Sequence, residues 1–84
     1  MRLFLKTTFS DNEVVSDPDG GDYSDLAAAT RDGREALKEL VIEAVRAESG
    51  RIPFMIEICD SAGRILATAM TKDVVPAMSS LPNI

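Results

Sequence analysis

The chain has 84 residues, 45% hydrophobic and 27% charged, with a formal net charge of −5 and one cysteine. That length suits one hydrophobic core rather than two domains, and the apolar content excludes a disordered chain. The negative charge opposes broad adhesion to nucleic acid or anionic membranes, while a lone Cys59 excludes an internal disulfide or a cysteine zinc cluster and fits a reducing cytoplasm.

Residues 2–9 alternate, with Leu3, Leu5, Thr7 and Phe9 on one side and Arg2, Phe4, Lys6 and Thr8 on the other, which predicts a half-buried strand. Lys6 interrupts the apolar run and no A-x-A-like cleavage site follows, so a signal peptide is not expected. Nor do about 18 consecutive apolar residues occur anywhere, so no membrane-spanning helix is expected. Ser10-Asp11-Asn12 supplies turn formers that bond their own backbone, leading to a short strand over 13–16 and a first hairpin. The run Asp17-Pro18-Asp19-Gly20-Gly21-Asp22 reads as a loop.

Ser24 is placed to cap a helix, with Asp25 against the positive end of its dipole. From Leu26 the small and apolar residues Ala29, Gly33, Leu37, Leu40, Val41, Ala44 and Val45 recur at helical spacing, while Arg31, Arg34, Glu35, Lys38, Glu39 and Glu43 lie mostly off that stripe. The predicted helix runs over 25–48 and stops at Ser49-Gly50, with Gly50 suited to the left-handed C′ position. Gly33 on the buried stripe costs about 1 kcal/mol in helix propensity relative to alanine. Either the helix backbone approaches the sheet closely there or the helix bends; close approach is preferred.

Residues 51–60 alternate again, with Ile52, Phe54, Ile56 and Ile58 opposed to Met55, Glu57 and Cys59, and Pro53 marks a strand start or edge. Asp60-Ser61-Ala62-Gly63 is a tight turn that returns the chain as a partner strand over 64–70. A short helical turn is expected over 74–78, followed by a tail. The result is an α+β domain over 1–72, ββαββ, with a four-stranded, mainly antiparallel sheet and one long helix on one face. Its expected core comprises Leu3, Leu5, Phe9, Leu26, Leu37, Leu40, Val41, Ala44, Phe54, Ile56 and Ile58, and the strand order is left open.

The chain has no histidine, which removes the side chain best suited to proton transfer near neutral pH and the triads that need it. It also lacks the nucleophile elbow, phosphate loop and dinucleotide fingerprint, so no enzymatic activity and no cofactor are expected. Asp17, Asp19, Asp22 and Asp25 offer oxygen ligands, but an EF-hand frame begun at Asp17 puts Asp22 where glycine is needed and Ala28 where glutamate belongs. Turn formation and helix capping account for them. Arg31, Arg34 and Lys38 share a helix face that glutamates interrupt and no aromatic residue accompanies, so a solvated face is the expectation.

One helix covers one face of a sheet. Phe4, Met55, Cys59 and, from the last strand, Leu66 and Met70 or else Ile65 would then lie on the other, as a contact surface for another chain. The reading is a small interaction module that self-associates or binds a protein partner, with neither nucleic acid nor membrane as partner.

The opening Met1-Arg2-Leu3-Phe4, the D-x-D-G of Asp17 to Gly20, Asp25-Leu26 before an alanine-rich helix, and Asp60-x-x-Gly63 followed by Ile65-Leu66 together form a pattern. In order and spacing it resembles a family of short bacterial proteins, domain of unknown function 6894, frequent in rhizobia and their relatives. That resemblance spans most of residues 1–70, implies a compact stand-alone protein, and brings no activity, ligand or catalytic residue. A looser pattern, a strand, Pro18-Asp19-Gly20, then a helix with A-x-x-x-x-x-E-A-L from Ala29 to Leu37, is similar to HicB-type antitoxins. It implies an alternative, an acidic binder of a small RNase; a small-ligand or divalent-cation binding protein is the third.

Overall fold

The computed structural model describes residues 1–74. In chain order it contains β1 (Arg2–Phe9), β2 (Val14–Ser16), β3 (Gly21–Asp22), α1 (Leu26–Arg46), β4 (Pro53–Cys59), β5 (Ile65–Met70) and α2 (Thr71–Val74). The fold is α+β, an open antiparallel sheet with one long helix packed against it. Strand order is β2-β1-β4-β5, with β3 paired to the start of β1. The two long alternating strands, β1 and β4, thus meet at the centre, where each can bury a face, and α1 carries the chain between the hairpins.

The first hairpin turns as its residues require. Asn12 adopts a left-handed φ of 69°, Glu13 N donates to Asp11 Oδ1 at 3.0 Å, and Phe9 N donates to Glu13 O at 2.9 Å. The loop expected over 17–22 is more ordered than its composition suggested, because Gly21 and Asp22 pair with Leu3 and Arg2 as β3. Gly20 makes this possible: its φ is +70°, and a Cβ there would lie 2.8 Å from the Phe4 ring and 2.9 Å from the Leu3 carbonyl oxygen.

Both helix ends differ from the expectation by a residue or two. Asp25, not Ser24, is the N-cap, in extended backbone with its carboxylate accepting from Ala28 N at 2.8 Å. At the other end Glu48, not Gly50, takes the left-handed position with φ 52°. Glu48 N donates to Val45 O and Ser49 N to Ala44 O, the paired bonds of a Schellman ending, which satisfy carbonyls that the last turn leaves open.

Gly33 is buried in an uninterrupted helix. A Cβ built there would stand 3.6 Å from side-chain atoms of Ile56, Ile58 and Leu5, ordinary van der Waals contact, so the helix packs on the sheet here without a bend and without a spacing that demands glycine. Leu5 reaches two buried clusters that flank this point: Leu37, Ile56, Ala69 and Val74 on one side, Leu3, Ala29 and Ile58 on the other. Leu3, Leu37, Val41, Ile56 and Ile58 are buried, as expected, whereas Leu5, Phe9, Leu26, Leu40 and Ala44 are only partly so.

Phe54 is a correction. Thr8 pairs with Met55 and Phe9 with Pro53, so a bulge leaves Phe54 as an extra residue without a cross-strand partner. Pro53 is fully buried in its stead, and Phe54 is 39% exposed. An inserted residue reverses the in-out parity of everything before it, which strict alternation cannot anticipate. Helix α2 starts at Thr71, and its Val74 is buried in the core; the rest of the turn expected over 74–78 lies outside the described residues.

Candidate functional site

The outer face of the sheet, opposite α1, is assembled from three cross-strand rows. Phe4, Cys59 and Ile65 form the first, Lys6, Glu57 and Thr68 the second, and Thr8, Met55 and Met70 the third. Strand β2 extends the second row with Ser16 and the third with Val14. Directly opposed side chains on one face lie close enough to interact. Apolar rows therefore flank a polar middle row in which Lys6 and Glu57 stand opposite one another.

Of the residues singled out in the sequence, Met55 and Met70 are neighbours in this arrangement, and Phe4 and Cys59 are neighbours in another row. Phe4, Met55 and Met70 are half-buried, Cys59 is 6% exposed, and Leu66 is 38% exposed. Leu66 belongs to neither row. A second bulge pairs Cys59 with Ile65 and Ile58 with Ala67, leaving Leu66 between them unopposed. Ile65 and Met70 consequently share the outer face, two residues that regular alternation puts on opposite sides, while Ala67 and Ala69 pack towards the helix. Val14, 49% exposed, was not singled out, because three residues give too short an alternation to show which face they join.

A recess of about 260 Å³ opens at one end of this face, with Phe4, Lys6, Ser16, Asp17, Cys59 and Asp60 among its walls. Its carboxylate Asp60 is committed to the turn. Asp60 accepts from Arg64 N at 2.9 Å, Ala62 N at 3.0 Å and Arg64 Nε at 3.0 Å. The backbone N–H of Arg64, ahead of the guanidinium and Ala62 N, holds its pKa below the ordinary carboxylate value. A carboxyl held ionised and bonded in this way is a poor proton donor or acceptor.

A larger open groove, about 540 Å³, lies where the end of α1 overhangs β1, with Phe9, Leu40, Ala44, Arg46 and Arg51 among its walls. Arg51 stacks 3.9 Å over the Phe9 ring and pairs with Glu13 at 3.2 Å and Asp11 at 3.9 Å. These contacts pin the first hairpin to the segment before β4.

The loop aspartates are similarly occupied. Asp17 accepts from Asp19 N, Asp22 pairs with Arg2, and Asp25 caps α1. Among the described residues no three of His, Cys, Asp and Glu converge as metal ligands, and no helix is long and apolar enough to cross a membrane. What the outer face offers is shape and apolar contact on a rigid sheet.

Neither the curated proteins nor the solved structures give a match to this chain. A family model does, over residues 3–71, a span that includes both hairpins, α1 and the outer face. The chain belongs to that family, described as Domain of unknown function (DUF6894).

Proposed function

We propose that this protein is a non-enzymatic interaction module whose outer sheet face receives another protein chain. The observation that carries the reading is the one-sided layering: α1 covers one face, while Phe4, Met55, Ile65 and Met70 stand on the other. Rigid strands hold such residues in fixed positions at little further entropic cost, which favours their use as contact points. The polar middle row of Lys6, Glu57 and Thr68 supplies register without making the whole face sticky. Against catalysis stand the absence of histidine and the structural engagement of Asp60, Asp25 and Arg51.

Light scattering at high micromolar concentration, with capture of partners on the immobilised chain, tests the reading. Association or capture that Met55→Lys abolishes, with the circular dichroism spectrum kept, supports it. A strict monomer that captures nothing, or association indifferent to Met55→Lys, removes its basis.

A further inference from the structure

Strand β5 closes one side of the sheet and, among the described residues, is paired with β4 alone. Its sequence, Ile65-Leu66-Ala67-Thr68-Ala69-Met70, holds no charge and no proline. Those are two of the devices by which edge strands avoid pairing with other chains; a third, the bulge at Leu66, is confined to the start of the strand, and Ala67 to Met70 keep a regular register. The opposite side of the sheet is blunted instead, since β2 has three residues and β3 two. Along the edge of β5 away from β4, which no described strand pairs, run backbone donors and acceptors able to template another strand, and Ile65 and Leu66 are 53% and 38% exposed.

We propose that β5 pairs antiparallel with β5 of a second copy, about a two-fold axis through Thr68, and so joins two sheets into one. A two-fold axis normal to the sheet keeps each side chain on its own face, so a residue must face its own copy at the centre and residues equally spaced on either side face each other. With Thr68 at the centre, Ala67 opposes Ala69, and Leu66, the bulge residue at the start of the strand, falls opposite Met70. Small side chains then meet small and large meet large, which is the matching that cross-strand pairs favour. Neither neighbouring register achieves this. Centred on Ala67, Arg64 would oppose Met70 and Leu66 would oppose Thr68; centred on Ala69, Leu66 would oppose Lys72.

In the Thr68 register, Arg64 and Lys72 fall opposite one another at the margin. Arg64 is already paired with Asp60 at 3.0 Å, and the chain leaves the sheet at Thr71, so this margin lies beyond the last ladder pair. Only about five residues a side take part, against about 20–30 in a standard interface. The dimer is accordingly weak and forms on raising the concentration. Its partner is this chain and not an unrelated peptide because the matching of sizes comes from the strand reading alike in both directions.

The premise shared with the reading above is that the chain associates, and the test separates edge from face. Sedimentation equilibrium is run on the wild type, Thr68→Lys and Met55→Lys, with thermal melts to confirm folding. Thr68→Cys and Leu66→Cys, each with Cys59→Ser, are oxidised in parallel. Facing residues have Cα atoms about 4.5–5.5 Å apart, within disulfide reach.

The expected result is a wild-type mass that climbs towards twice the monomer with concentration, and a Thr68→Lys mass that stays monomeric. Thr68→Cys should also cross-link at least tenfold faster than Leu66→Cys, which faces Met70 and not itself. A wild type monomeric throughout, or equal cross-linking rates, overturns the edge pairing. Association that Thr68→Lys leaves intact and Met55→Lys removes overturns the edge pairing too, while sustaining the outer face as the contact. The reverse pattern sustains the edge and sinks the face. Should Thr68→Lys fail to fold, the cross-linking ratio alone decides.

Discussion

The Thr71 hydroxyl donates a 2.7 Å hydrogen bond to the Pro53 carbonyl, both residues buried, tying the first residue of α2 to the first of β4. Without that donor the carbonyl lies buried beside an isosteric methyl, and an unsatisfied buried polar group costs about 1–3 kcal/mol. Thr71→Val is expected to lower the unfolding free energy by that amount in urea titration, whereas Thr71→Ser keeps the bond and loses less. A Thr71→Val protein as stable as the wild type would show that the bond adds nothing.

At Gly33 the available space sets the sign. The 3.6 Å separations to Ile56, Ile58 and Leu5 are ordinary van der Waals contact, so one methyl fits. Gly33→Ala is expected to stabilise by about 0.5–1 kcal/mol through helix propensity. Gly33→Leu has nowhere to place its branches and should destabilise by about 1–3 kcal/mol as overpacking does. Thermal melts of the pair check both signs together; a Leu variant as stable as the Ala variant contradicts the close approach.

Glu48 is strained by its place in the helix ending. A left-handed φ of 52° brings Cβ towards the following carbonyl, at a cost of about 1–2 kcal/mol that glycine avoids. Glu48→Gly is expected to raise stability by about 1 kcal/mol, with part of the gain offset by glycine's greater freedom when unfolded. Chemical denaturation reads the change directly, and a loss of stability would contradict the assigned ending.

Asp60 links stability to pH. Its folded pKa lies below the ordinary value of 3.8, so its contribution is present above that value and is lost as pH falls through the lower folded one. Asp60→Asn still accepts backbone bonds but without charge. The variant should be less stable than the wild type at neutral pH, and the gap should close in strong acid. A gap of constant size from pH 7 to pH 2 would contradict the charge-assisted turn.

Much of this architecture was legible along the chain because it depends on neighbours. Alternation in β1 and β4, the 3.6-residue stripe from Leu26 to Val41 and the Asp60–Gly63 turn are all set within a few residues. Leu3, Leu37, Ile56 and Ile58 were accordingly recognisable as core, and the family through its turn spacings. The outer face was legible in part: Phe4, Met55, Cys59 and Met70 share it, but their grouping into rows was not.

The remainder belongs to pairings between distant segments. Nothing local to Phe54 or Leu66 says that each is the extra residue of a bulge; that follows from where β1 and β5 settle along β4. Strand order likewise depends on β1 and β4 meeting across a 21-residue helix. By itself the sequence determined the long strands, the two hairpins and the long helix, since period and turn chemistry are written within each; the two residues of β3 carry no period and read as loop. Only the tertiary structure decided register, and with it which side chains reach the outer face, because a one-residue insertion reverses the face of every residue beyond it and is fixed by where the partner strand settles, distant β1 for Phe54 and neighbouring β4 for Leu66.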